Sequence, residues 1–207
     1  MKHTFPSEQN FFLFLELLDP VINGLLFKLR RELTRGLLIS GIHVTIRGPY
    51  KTKIASKTVE QVGRILNGEP ILIHGIGMFE NPNEYVVYIK VAGGRLTEVC
   101  RKPDFPKKTY GCNPHISLYR GADKEFADKV QTFLKKEPLK LVCKEYRLIP
   151  YTSKQAELFS LDSKSFKPFP PRPSDDYLAN PDIVERAAEL VHSHRFSDKH
   201  GYLQGDL

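Results

Sequence analysis

The chain has 207 residues, 41% hydrophobic and 11% aromatic, enough to bury a sizeable core, which excludes a wholly disordered polymer. The longest early apolar run, FFLFLELL from Phe11, is interrupted by Glu16 and closed by Asp19-Pro20, which excludes a membrane-spanning helix there. The net charge is +7, and with five basic against seven acidic residues from Lys167 onward the surplus lies in residues 1–166, a balance that favours a phosphate-bearing ligand or RNA.

The strand expected from Phe11 to Leu18 gives way at Asp19-Pro20, where Asp suits an N-cap and Pro the first helical turn. A helix then runs to about Arg35, with Val21, Leu25, Leu29 and Leu33 on one face and Gly36 as its stop. A strand ending at Gly48-Pro49 follows. A second helix, roughly Ala55 to Leu66, turns Val59, Val62, Ile65 and Leu66 inward and ends at Asn67-Gly68. Two strands, from Ile71 and from Glu84, are joined by the turn residues Asn81-Pro82-Asn83. After Gly93-Gly94 come a short helix around Leu96 to Cys100, a basic proline-broken loop, and a strand from near Asn113. Asp123 caps a helix whose Phe126, Val130, Phe133 and Leu134 share a face. LKLVCKEYRLI and AELFSLD then both read as strands. The order β-α-β-α-β-β-α-β-α-β-β is an α+β pattern in which a strand-helix-strand-helix-strand unit occurs twice.

From Lys167 the composition changes. KPFPPRPSDD reads as a proline-rich linker, and PDIVERAAELVHSHRF as an amphipathic helix starting after Asn180, docked on the core or on another protein subunit. This divides the chain into a domain over 1–166 and an appendage over 167–207. His192 and His194 are i, i+2 on that helix and do not face each other, so a packing or solvated role is expected rather than a metal site. Cys100, Cys112 and Cys143 are odd in number and widely spaced, with no C-x-x-C pair. That argues against a disulfide framework and a zinc site, and for a reducing compartment. The N-terminal MKHTFPSEQN lacks the small-residue cleavage pattern of a secretory signal, so a cytoplasmic location is expected.

Two short patterns carry the chemistry. His43-Val44-Thr45 and His115-Ile116-Ser117 each sit in a strand, so the histidine and the hydroxyl share one face while Val44 and Ile46, or Ile116 and Leu118, anchor the other. With both histidines on one cleft, a phosphate between them has an imidazole on each side and the Thr45 and Ser117 hydroxyls in reach. In-line displacement at phosphorus needs a base for the incoming oxygen and an acid for the leaving one, and two histidines fill both roles without a metal or other cofactor. An unperturbed pKa near 6.5 makes both protonation states accessible. Which histidine is the base stays open at this point. Strict alternation also puts Arg47 on the His43 face, and Arg120 ends the second strand; both are candidate cations for phosphoryl oxygens. Tyr50, Phe105 and Tyr110 flank the motifs and are candidate base-stacking residues. His3, His74 and His200 have no such hydroxyl partner. The chemistry suits a substrate with an internal nucleophile or strained ring, such as a ribose 2′-hydroxyl beside a phosphodiester, or a cyclic phosphate.

The paired H-x-[ST] strands, their separation, the alternating strand-helix order and the length resemble the 2H phosphoesterase superfamily, which includes 2′,5′ RNA ligase-like proteins and cyclic phosphodiesterases. The resemblance covers about Phe11 to Ser163. It implies a bilobal α+β fold with two mainly antiparallel sheets flanking a central cleft, and carries the family's catalytic set onto His43, Thr45, His115 and Ser117, with Arg120 resembling an arginine that some members hold after the second motif. The implied function is phosphodiester or cyclic-phosphate cleavage next to a ribose 2′-oxygen, on an RNA end, a 2′,5′-linked oligonucleotide or a cyclic nucleotide. The alternatives are a non-catalytic RNA- or nucleotide-binding module, and RNA end joining by the reverse reaction.

Overall fold

The computed structural model describes residues 9–37, 41–93, 95–101, 113–153 and 176–194. They run β1 (Phe11–Leu17), α1 (Pro20–Leu33), β2 (His43–Tyr50), α2 (Ser56–Leu66), β3 (Ile71–Asn81), β4 (Glu84–Ala92), α3 (Leu96–Arg101), β5 (His115–Gly121), α4 (Lys124–Lys136), β6 (Leu139–Cys143), β7 (Tyr146–Thr152), β8 (Tyr177–Ala179) and α5 (Ile183–Ser193). The fold is α+β, with two antiparallel sheets in the orders β2-β1-β7 and β5-β4-β3-β6-β8.

Local chemistry sets the helix ends. Asp19 Oδ1 accepts from the Val21 and Ile22 amides at 2.9 and 3.0 Å, and Pro20 occupies the first turn, where its missing N–H leaves no bond unmade. Asp123 Oδ1 accepts from Phe126 N at 2.9 Å and opens α4 in the same way. Asn67 ends α2 in the left-handed conformation, with φ of 49°.

Alternation builds the core between the layers. Leu13, Leu15 and Leu17 of β1 and Val87, Ile89 and Val91 of β4 face inward, against Ile22, Leu25, Leu26, Leu29 and Leu33 of α1 and Phe126, Val130 and Leu134 of α4. Helix α1 packs on β5 and α5.

The two expected units exchange a strand. β3, the last strand of the first unit, pairs with β4 rather than with β1, and the third strand on β1 is β7, from the far end of the second unit. LKLVCKEYRLI is therefore not one strand: it breaks at Lys144-Glu145, with β6 joining one sheet and β7 the other. The strand expected over AELFSLD, the basic loop and most of the proline-rich linker lie outside the described residues.

β8 is an element the sequence did not announce; it adds to the free edge of β6. α5 then packs on α1, with Ile183 and Ala187 fully buried. His194 ends α5 as a packing residue: it is buried over Phe126, Lys129 Nζ donates to its Nδ1 at 3.2 Å, and its Nε2–H donates to Asp123 Oδ2 at 2.9 Å. The carboxylate that caps α4 thus also holds the end of α5. Among the described residues no helix is long and apolar enough to cross a membrane.

Burial predicts where substitutions are felt. Leu25→Ala, at 1% exposure, lowers unfolding free energy by about 2–5 kcal/mol in urea titration. Leu37→Ala, 55% exposed, changes it by less than about 0.5 kcal/mol.

Candidate active site

β2 and β5 are the edge strands of their sheets, and these edges approach each other. Val44 and Ile46 on one, Ile116 and Leu118 on the other, are buried in the core, which fixes the faces of both strands. His43, Thr45, His115 and Ser117 consequently lie on the opposite, partly exposed faces. The four motif residues come together as two half-sites on facing edges.

Each imidazole is held in the same way. His43 Nδ1 donates to the carbonyl of Gly41 at 2.9 Å, and His115 Nδ1 donates to that of Asn113 at 2.7 Å, in both cases two residues earlier in the chain. A carbonyl oxygen only accepts, so the Nδ1 atoms carry the protons and each neutral ring keeps its lone pair on Nε2. Nε2 lies on the far side of the ring from the anchoring carbonyl.

Aromatic rings repeat the duplication. Phe14 lies opposite Thr45 in the β1–β2 register and stacks on His43 at 4.1 Å, with Tyr151 of β7 behind it at 4.7 Å. Tyr88 lies opposite Ser117 in the β4–β5 register, 5.0 Å from His115, with Phe79 of β3 stacked on it at 4.4 Å. Phe79 also meets His115 edge-on at 5.0 Å. These four rings wall the half-sites and were not singled out in the sequence. Their signal is faint: an aromatic at alternate positions of a neighbouring strand, which acquires meaning only once the pairing is known.

Strict alternation fails just beyond each hydroxyl. In β2 the register shifts by one residue between Phe14↔Thr45 and Leu13↔Arg47, and in β5 between Tyr88↔Ser117 and Val87↔Tyr119. Each shift is a bulge, at Ile46 and at Leu118, that turns the following residues over. Arg47 therefore faces the core side with Leu13, not the His43 side as alternation predicts. It is 8% exposed, and its Nη2 donates to the Val99 carbonyl of α3 at 3.5 Å. Arg120, by the same device, lies on the His115 face; it remains half exposed and pairs with Glu84 at 3.1 Å. The place that matches Arg120 in the first half-site is held by Gly48, where φ is +111° and an added Cβ would lie 2.7 Å from the Phe11 carbonyl oxygen. Only one half-site can carry this arginine.

Two further positions differ in charge. Glu16 lies opposite His43 and is ion-paired with Arg147 of β7, whereas the residue opposite His115 is the exposed Lys90. Tyr50 sits at the end of β2, paired with Phe11, away from the histidine end of the strand. Phe105 and Tyr110 lie outside the described residues, as do His3 and His200. His74 is remote from the motifs in its sheet, its Nδ1 donating to the Leu139 carbonyl at 3.0 Å. Among the described residues no group of three His, Cys, Asp or Glu side chains is placed to hold a metal.

The electrostatics separate the two histidines. Burial pushes His43 down to about 4, against the hydrogen bond to Gly41, and the positive charges of Arg30, His115 and Arg120 push it the same way. His115 is also lowered, by burial and then by Arg120, against its bond to Asn113. Arg30 of α1 is itself buried, and its Nη1 donates to the same Gly41 carbonyl at 3.4 Å.

A histidine whose folded pKa lies below its unfolded value is neutral in the native state over a pH range where the unfolded chain takes up a proton. Stability is therefore full above about pH 6.5 and falls as pH drops toward 4. Denaturant melts across pH 7 to 4 are expected to show a loss of up to about 3 kcal/mol attributable to His43. His43→Phe removes that component, and an unchanged pH dependence in this variant would contradict the assignment.

Compared with models of protein families, with curated proteins and with solved structures, the chain matches none.

Proposed function

We propose that this protein is a metal-independent phosphodiesterase of the two-histidine kind, resembling the 2H phosphoesterases, that cleaves a phosphodiester or cyclic phosphate next to a ribose 2′-oxygen. The observation that carries the reading is the repeated half-site: an imidazole with its Nδ1 proton held by a carbonyl, a hydroxyl two residues on, and an aromatic wall, on each of two facing strand edges. A single histidine anchored to backbone is commonplace. Two built alike on apposed edges supply the acid and the base that displacement at one phosphorus needs.

In hydrolysis of a 2′,3′-cyclic phosphate, His43, held neutral, takes a proton on Nε2 from the attacking water. Oxygen bonds to phosphorus as the ring P–O bond breaks, and His115 delivers its Nε2 proton to the departing ribose oxygen. The bound phosphate anion supplies the negative charge that draws His115 up into the protonated state before reaction. Thr45 and Ser117 hydroxyls and the Arg120 guanidinium stabilise the charge that accumulates on the non-bridging oxygens. Cleavage of a 2′,5′ or 2′-hydroxyl-flanked linkage uses the same pair, the nucleophile alone being different. The basic balance of residues 1–166 suits a nucleotide or RNA substrate. A reducing compartment such as the cytoplasm fits the buried free thiol of Cys143, which burial pushes up to about 11 and so keeps inert.

The test is product analysis in excess EDTA on 2′,3′-cyclic nucleotides, 2′,5′- and 3′,5′-linked oligoadenylates and cyclic dinucleotides. The parent is expected to turn over at least one class. His43→Ala and His115→Ala are expected to lose roughly 10²- to 10⁴-fold while melting like the parent at pH 7. Tight binding by the parent with no turnover would favour a binding module, and equal rates in parent and variants would remove the histidines from the chemistry.

A further inference from the structure

Arg30 is the least comfortable side chain among the described residues. It lies in the last turn of α1, 3% exposed, and both Nε and Nη2 are buried without an acceptor among the described residues. None of their carboxylates forms an ion pair with it. Burial lowers its pKa to about 10, which leaves it charged at neutral pH. Removing a guanidinium from water without a counter-charge costs several kcal/mol, and a buried unsatisfied polar group in a native fold calls for an explanation. The C-terminal end of α1 offers partial negative charge, worth far less than that.

Its location supplies the explanation. Nη1 donates at 3.4 Å to the Gly41 carbonyl, the same oxygen that receives His43 Nδ1 at 2.9 Å. In the second half-site the Asn113 carbonyl receives His115 Nδ1, and no arginine among the described residues shares it. Other described groups also face His43. From β1 come the Phe14 ring and Glu16, whose carboxylate is engaged by Arg147 of β7; from β5 come His115 itself and Arg120, which is paired with Glu84. Arg47 is turned toward α3. Of the two arginines whose charges act on His43, Arg120 has a carboxylate beside it and Arg30 has none among the described residues.

We propose that Arg30 is a positioning residue: through the shared Gly41 carbonyl and its buried charge it makes the duplicated histidines unequal, holding His43 as the neutral base with its lone pair on Nε2. The assignment of a base rests on the phosphodiesterase reading above, but the effect on His43 does not. Arg30 touches no reacting atom. It fixes the carbonyl that fixes the ring, and its charge opposes a second proton on the imidazole.

The experiment is an NMR titration of the His43 Cε1–Hε1 signal, assigned by its loss in His43→Asn, in the parent and in Arg30→Met, Arg30→Gln and Arg30→Lys. Met removes the charge and the donor, Gln keeps a donor for Gly41 without charge, and Lys keeps the charge. The His43 midpoint is expected to rise by on the order of one pH unit in the Met and Gln variants and to stay near the parent's in Lys. The acidic limb of the kcat/KM profile should move with it. A residue that merely fills space would change the melting temperature and leave the midpoint in place, so an unchanged midpoint in folded Met and Gln variants overturns the proposal. If the parent turns over no substrate, the acid-base reading falls while the midpoint shift still decides what Arg30 does.

Discussion

Everything at the candidate site depends on one hydrogen bond made twice, from an imidazole Nδ1 to the carbonyl two residues earlier on the same chain. It fixes the tautomer and leaves the lone pair on Nε2 in each half-site. The bond is available because each motif begins its strand at the histidine, so Gly41 and Asn113, two residues earlier, lie before the strand and their carbonyls can turn toward the ring. Burial of Val44, Ile46, Ile116 and Leu118 then leaves the histidines a single face to occupy.

The two halves share a plan and differ in charge. Phe14 with Tyr151, and Tyr88 with Phe79, occupy corresponding places around the two hydroxyl positions. Glu16 corresponds to Lys90, Gly48 to Arg120, and the buried Arg30 serves only the first half. A symmetric pair of imidazoles would be interchangeable, yet acid-base catalysis on one phosphorus needs one ring empty and one loaded at the start. The asymmetric charges stand where they can set that difference. In the proposed mechanism the duplicated scaffold supplies the geometry, and these departures from symmetry supply the direction of proton flow.

Much of this was legible in the sequence. The strands, helices and caps through α4 follow from periodicity and turn residues, because Asp19-Pro20, Asn67-Gly68 and Asp123 act locally. Local signals do not say which sheet a strand joins, so the exchange of β3 and β7 and the break at Lys144-Glu145 emerge only in the assembled fold. The β8 segment is three residues long, too short to register a period. Arg47 was placed on the wrong face because alternation assumes an unbroken ladder, and the bulge at Ile46 carries no sequence mark. The same kind of bulge at Leu118 brings Arg120 onto the His115 face. Arg30 is invisible for a different reason: beside Leu29 on an amphipathic helix an arginine reads as solvated, and only the assembled fold shows it buried against the Gly41 carbonyl.

The central claim is that His43 and His115 act as one unit on one phosphorus, and the most direct measurement is a double-mutant cycle on turnover of the preferred substrate in EDTA. The account predicts that His43→Ala/His115→Ala loses scarcely more rate than the more damaging single variant, because removing either partner already disables the coupled transfer. Losses that multiply in the double variant would mean that the two histidines contribute independently, and would contradict it.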